Sequence, residues 1–257
     1  MSLLPQTEAL MAQVEVLSGK AVELVPDPKL TVPSTVSFAE TWGGPFHVIT
    51  YNREKAILNY HVAWQCAFLI RVFQVPPAER FHLATTEDGP KAVERQLRSQ
   101  QAASRFPGPL LSMAAAQMYR GLLVQLRSYP VGMRIDQWLY DEYPELRPDQ
   151  KTALARQHRD NLEALSPQVR ALSPPSVYKG NVSMNAAFAL FSDRLLGSPE
   201  FAVPYRAAGH LRTAEQLLSV FDGTPAEAAS DRDLIAKWAD ELGIADWYRW
   251  VPLTEVS

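Results

Sequence analysis

One long apolar segment stands out in the first third of the chain. It runs from about residue 53 to 74, carries apolar residues on most sides of a helix, and is followed by Pro76 and Pro77. Proline lacks a backbone N–H, so the pair predicts the end of a helix. Asn52 offers a side-chain oxygen to free amides and predicts its start. We therefore expect a central buried helix over 53–74, with Trp64 and Phe68 largely buried.

Patterns on either side of this helix predict an α+β fold that is dominated by helices. The runs KAVELVPD, STVSFAE and FHVITY are rich in β-branched and aromatic residues, which predicts a small N-terminal sheet of about three strands packed on the central helix. Beyond residue 89 the periodicity is helical almost throughout. The expected helices lie near 90–104, 109–127, 132–142, 148–165, 183–196, 206–221 and 231–242.

The least regular stretch, LSPPSVYKGNVS at 172–183, predicts an exposed loop or a boundary between two halves. We divide the chain into region 1–145 and a helical region 146–257, and expect them to pack as one globular unit. The tail after residue 237 holds Trp238, Trp247, Tyr248 and Trp250. These aromatic residues either dock on the body of the protein or form an exposed patch for a partner.

Composition and charge argue against nucleic-acid binding and against insertion into a membrane. The 257 residues are 47% hydrophobic with a net charge of -3, so no global basic field favours nucleic acid. The apolar run 56–70 is interrupted by polar residues and is shorter than the roughly 20 residues that cross a bilayer, so no membrane partner is expected. The N-terminus lacks the pattern of a secretory signal, and there is a single cysteine, Cys66. We expect a cytoplasmic protein.

The central helix also contains residues at a spacing that allows some helices to bind a metal ion. In an H-E-x-x-H helix, two histidines four residues apart bind zinc and the glutamate acts as general base. The segment VAWQCAFLIR resembles the VAHELGHALR style of zincin-type metallopeptidases, particularly the glutamate-zincin group. Trp64 and Phe68 of WQCAF, residues 64–68, take the histidine positions, and Gln65 takes the glutamate position. The resemblance covers about residues 10–145.

The resemblance implies a former metal site that has lost its ligands. In the glutamate-zincin group an acidic third ligand comes from a later helix, where Asp136, or alternatively Glu94, lies in this sequence. Indole and phenyl rings have no lone pair suitable for zinc, and a carboxamide cannot remove a proton from water near neutral pH. We therefore expect no metal, no cofactor and no catalytic residues at these vestigial zincin positions.

Several readings of the same residues stay open. The helix can be an ordinary core element in which the two rings pack at i and i+4, or it can hold a new reaction. A cysteine–histidine pair is disfavoured, because His61 lies about 140° around the helix from Cys66, and a buried inert thiol is expected. The five histidines include no pair at metal-binding helical spacing.

The functional hypothesis is a catalytically inactive, metallopeptidase-like protein with a binding, regulatory or assembly role. One alternative is an enzyme of unrelated chemistry, and another is a plain helical interaction module. The sequence names no ligand or oligomeric state and leaves a protein partner open.

Overall fold

The N-terminal sheet forms as the sequence predicts. A computed structural model of the chain describes residues 3–99 and 108–255. Strands β1 (Val22–Pro26) and β3 (His47–Tyr51) pair in parallel, and β2 (Ser34–Ser37) pairs with β3 in antiparallel register, so β3 is central and β2 lies at an edge. Helix α1 (Pro5–Ser18) precedes the sheet, and the short helix α2 (Ala39–Trp42) connects β2 to β3.

The central helix, α3, spans Leu58–Gln74, so its predicted start at residue 53 was wrong. Asn52 does not cap it. The Asn52 Oδ1 accepts hydrogen bonds from the backbone N–H groups of Glu54 (2.9 Å) and Lys55 (3.3 Å), which closes a turn before the helix. At the helix start, the backbone N–H of Ile57 donates to His61 Nδ1 over 2.9 Å. The His61 side chain, which lies within the helix, therefore accepts a backbone hydrogen bond at the helix start, the role that was expected of Asn52.

Most of α3 is buried, and one side remains open. Val62, Ala63 and Cys66 have no exposed surface, and the helix packs on α1 and α5. Trp64 and Phe68 are partly buried and pack against the apolar core. Both residues also line an open cleft, so they are less buried than Val62 and Cys66.

Helices form most of the chain after residue 87, which confirms the helix-dominated α+β class and the helical C-terminal half. Their bounds are α4 (Asp88–Arg98), α5 (Gly108–Glu142), α6 (Arg147–Asn161), α7 (Pro167–Leu172), α8 (Pro175–Leu196), α9 (Val203–Ala207), α10 (Leu211–Gly223) and α11 (Asp231–Leu242). The predicted extension of α4 to residue 104 lies outside the described residues from position 100. Within the described ranges, no helix combines the length and apolar character that a membrane crossing needs.

Two proline-based predictions of helix breaks were wrong. Helix α5 continues through Pro130, although an interior proline costs about 3 kcal/mol or more. Burial of Leu126, Val131 and Met133 on both sides of the proline offsets that cost. The stretch 172–183 is largely helical, because Pro175 stands at the first position of α8, where its missing N–H removes no helical hydrogen bond.

A second sheet, which the sequence analysis missed, joins the C-terminal segment to a strand that follows α3 in the chain. Strand β4 (Phe81–Thr85) pairs in antiparallel register with β5 (Tyr248–Pro252). The backbone carbonyl of Trp247 accepts hydrogen bonds from the Tyr119 hydroxyl and from Thr86 Oγ1. The C-terminal aromatic residues thus dock on the body: Trp238 and Trp247 are buried, and Tyr248 and Trp250 are half-buried.

Replacing Gly89 with alanine should destabilise the fold. A Cβ at position 89 would lie 2.2 Å from Tyr119 Cε2, and Tyr119 is fully buried and hydrogen-bonded, so its ring cannot move aside. Overpacking of this kind costs about 1–3 kcal/mol. Urea denaturation should show this loss in the free energy of unfolding for Gly89→Ala.

Gly121→Ala is the matched control. Gly121 lies inside α5 with no atom within 4 Å of an added Cβ, so alanine should stabilise the protein by about 0.5–1 kcal/mol. Equal effects of the two substitutions on unfolding would contradict the close packing of α4 on Tyr119.

Candidate functional site

A cleft of about 1290 Å³ runs along the open side of α3. Its walls come from α3, the edge strand β2, helices α5 and α6, and the β4–β5 sheet. The α3 residues in its wall follow a helical period, so they form one continuous stripe along the helix. They are Tyr60, His61, Trp64, Gln65, Phe68, Arg71 and Val72.

Trp64 and Phe68 form an aromatic stack in the middle of this stripe. Their ring centroids are 6.2 Å apart and the rings are 21° from parallel. The indole also lies close to α5, since a Cβ at Gly132 would be 3.1 Å from Trp64 Cζ2. On the other side, Phe38 meets Phe68 edge-on with centroids 5.9 Å apart. The stack is therefore a supported surface with one side facing the cleft.

Gln65 links the stack to the sheet. Its side chain is buried, and its Nε2 donates a hydrogen bond to Ser34 Oγ on β2 over 3.0 Å. This contact holds α3 against the edge strand. A carboxamide donates and accepts hydrogen bonds but does not take up a proton near neutral pH.

Asp136 lies across from the stack on α5. It accepts a hydrogen bond of 2.6 Å from the Tyr60 hydroxyl and is only 2% exposed. Burial raises the pKa of the Asp136 carboxyl to about 7, and hydrogen bonds from Tyr60, Gln150 and Trp64 oppose that rise. Burial and the neighbouring Asp136 also raise the pKa of Tyr60. The pair is a buried hydrogen bond at the wall of the cleft, in which burial disfavours the charged form of both groups.

The structure thus brings together the residues that the sequence singled out. Trp64, Gln65, Phe68 and Asp136 all line the cleft. Glu94, the alternative to Asp136, lies on α4, pairs with Arg98 and is not in the wall. Across residues 3–99 and 108–255, no group of three or more His, Cys, Asp and Glu side chains is placed to hold a metal ion.

Cys66 is not among the residues that line the cleft. The thiol is fully buried, and burial raises its pKa to about 12, so a thiolate does not form near neutral pH. His61 is held by the backbone at Ile57, where the hydrogen-bonded ring helps to close the first turn of α3. The two residues form no nucleophile–base pair.

Among the residues that the structure describes, the edge strand β2 has backbone groups beside the cleft that pair with no other strand. Ser34, Thr35, Val36 and Ser37 all line it. The N–H of Asn52 donates to the carbonyl of Pro33, so the antiparallel alternation directs the ladder hydrogen bonds of Thr35 and Ser37 towards β3. The backbone groups of Ser34 and Val36 therefore point to the free edge. Such an edge can accept an additional strand.

Sequence reasoning missed the charged residues of the cleft. Arg71 on α3 makes a two-pronged contact with Asp231 of α11 (2.7 and 2.8 Å), and Arg134 of α5 reaches the same carboxylate at 3.4 Å. Arg127 of α5 contacts His82 of β4. No local pattern could have found these groups, because their partners are distant in sequence.

Comparison of the chain with family models, with curated proteins and with solved structures finds no match.

Asp136 should make stability depend on pH. Its pKa is about 7 in the folded protein and about 4 when unfolded, so the folded state holds the proton more tightly. Its stabilising effect is complete below pH 4 and is lost as the pH rises from 4 to 7. Asp136→Asn, which cannot ionise, should remove this loss, worth roughly 2–3 kcal/mol between pH 5 and 7.5.

Urea unfolding of both proteins at pH 5 and 7.5 measures the difference. Relative to the parent protein, Asp136→Asn should gain stability at the higher pH. An unchanged difference at the two pH values would show that Asp136 titrates as an ordinary exposed carboxyl.

Proposed function

We propose that the protein is a peptide-binding relative of the zincin-type metallopeptidases that neither binds zinc nor cleaves peptides. The observation that carries the proposal is the cleft itself. The aromatic stack occupies the two positions that the resemblance assigns to zinc ligands, and the free edge of β2 runs beside it. A cleft with an apolar surface and an unpaired strand edge suits an extended chain.

The chemistry of the stack supports binding without cleavage. Trp64 and Phe68 present aromatic surface where the resemblance implies imidazole, and such rings contribute apolar contact area at low conformational cost. Gln65 is engaged with Ser34 and carries no proton-accepting carboxylate. Asp136 accepts a hydrogen bond from the Tyr60 hydroxyl inside the wall. The residues at the positions of the histidine ligands, the general base and the third ligand therefore all make contacts that do not involve zinc.

The backbone geometry supports a peptide as the ligand. An extended segment next to β2 would exchange hydrogen bonds with the backbone of Ser34 and Val36, and its alternate side chains would face the stack. The strand supplies the affinity that is common to all sequences, while the cleft wall supplies selectivity.

Reversal of the three replaced residues tests the relation to zincins. The variant Trp64→His, Gln65→Glu, Phe68→His should acquire zinc binding, because imidazoles four residues apart on α3 face Asp136. The two rings are only half-buried, so their loss should cost less than the roughly 3–5 kcal/mol of a fully buried truncation. Isothermal titration with zinc should detect heat for this variant and none for the parent protein.

Two additional substitutions in the reversed variant serve as controls. Asp136→Asn should weaken its zinc binding, whereas Glu94→Gln should not, because Glu94 lies outside the cleft. A folded variant without affinity for zinc would sink the proposed ancestry of the site. Firm zinc binding by the parent protein would contradict the loss of metal.

Peptide binding can be tested with a pool of acetylated octapeptide amides that is randomised over uncharged residues. Gel filtration with the protein followed by mass spectrometry should identify retained peptides at full length. Trp64 lies in the wall, so tryptophan fluorescence should then report the affinity of a retained peptide. Val36→Pro removes an N–H from the free edge without breaking a ladder bond and should weaken binding about 3- to 10-fold.

Val36→Ala shortens the same side chain but keeps the backbone N–H, so it should bind more tightly than Val36→Pro. Failure to retain any peptide would overturn the proposed ligand, and recovery of shortened peptides would overturn the loss of peptidase activity.

A further inference from the structure

Arg127 has an unusual position in the cleft wall. It is half-buried on α5, and the polar contact that the structure gives it is between its Nη1 and His82 Nδ1, 3.3 Å apart. Burial lowers the pKa of the guanidinium, and no neighbouring carboxylate counteracts this effect. Partial burial removes part of the hydration of the guanidinium, and no ion pair among the described residues replaces it.

The other arginines of the cleft wall either have partners within the protein or are exposed to solvent. Arg71 is paired with Asp231. Arg80 donates to the carbonyls of Val75 and Phe73. Arg232 lies over the rings of Phe81 and Trp250, at 4.3 and 5.4 Å from their centroids. Arg156 is exposed to solvent at the rim.

Arg127 lacks an ion-pair partner among the side chains that the structure describes. Across the described ranges, no Asp or Glu forms an ion pair with it. The remaining residues, 1–2, 100–107 and 256–257, contain no Asp or Glu. Burial and Arg127 both lower the pKa of His82, so the imidazole is neutral at pH 7 and the pair carries one net positive charge.

We propose that Arg127 and His82 form a carboxylate-binding subsite, which rests on the proposed function because the carboxylate belongs to the peptide in the cleft. The planar guanidinium has five N–H donors and suits a two-pronged contact with a carboxylate. A bound carboxylate gives Arg127 a negatively charged partner, as Asp231 does for Arg71. The subsite accepts either an acidic side chain or a C-terminal carboxylate.

Arg127 lies in the wall of the same cleft as the aromatic stack. Arg127 and Gly132 are on the same helix, and at 1.5 Å per residue their Cα atoms differ by about 7.5 Å along its axis. Gly132 marks the level of Trp64. The subsite is therefore part of the cleft that the peptide is proposed to occupy.

Three octapeptide pools of equal complexity test the subsite. One carries a fixed glutamate in an acetylated amide, the second carries glutamine instead, and the third carries glutamine with a free C-terminal carboxylate. The glutamate or the free-carboxylate pool should be retained about 10- to 100-fold better than the glutamine amides. Which of the two pools is enriched identifies the source of the carboxylate.

Arg127→Gln should abolish this preference, so that the three pools are retained equally. Arg156→Gln is the matched control and should keep the preference, since Arg156 is a solvated arginine of the same cleft. Equal loss of all three pools in Arg127→Gln would assign Arg127 a structural role and overturn the subsite. Retention of neutral peptides without preference for a carboxylate would overturn the subsite and leave peptide binding in place.

A measurement without peptides separates the two proposals. The proton–nitrogen correlation signal of Arg127 Nε, identified by its loss in Arg127→Gln, should shift on titration with sodium acetate. It should not shift with sodium chloride at the same ionic strength, and the Arg156 signal should stay in place. An acetate response in a protein that retains no peptide would support the subsite and reject the proposed function. No acetate response would reject the subsite.

Discussion

Burial of α3 on all sides but one governs the rest of the structure. The helix contributes a set of side chains without exposed surface, among them Val62, Ala63 and Leu69, to the main apolar core. Removing this surface from water is worth about 25 cal/mol per Å² and is the main force that holds α1 and α5 against α3. Trp64 and Phe68 stack on the side of α3 that faces the cleft, so one helix contributes to both the core and the cleft wall.

An ion cluster joins three helices beside the cleft. Arg71, Arg134 and Asp231 come from α3, α5 and α11, and Arg134 is only 5% exposed. Separating any one of them from the others would leave a charge out of water without compensation, at a cost of several kcal/mol. The backbone carbonyls of Ala226, Thr224 and Glu227 accept further hydrogen bonds from the two guanidinium groups. The distance between the three helices is therefore set by polar contacts as well as by apolar packing.

The contrast between this cluster and Arg127 gives the cleft its character. The ion cluster satisfies its charges internally, whereas the middle of α5 presents a half-buried cation next to a neutral histidine. The same cleft also contains an aromatic surface and the edge strand β2. Apolar, backbone and charged groups therefore line one cleft.

The sequence by itself determined the three strands, the central helix and the helical second half, because these depend on local periodicity and on β-branched composition. It also placed Trp64, Gln65, Phe68 and Asp136 in one hypothesis, through their spacing and through the resemblance. It misjudged Asn52, Pro130 and the stretch 172–183, where tertiary contacts outweigh local preference.

Only the tertiary structure decided that the aromatic pair faces a cleft, that Asp136 meets Tyr60, and that β4 pairs with β5. Tyr60 and Asp136 are 76 residues apart in sequence, and Arg71 and Asp231 are 160 apart. Contacts over such separations leave no periodic trace in the chain. They arise because several helices bury their apolar faces together and thereby bring distant polar side chains to the same place.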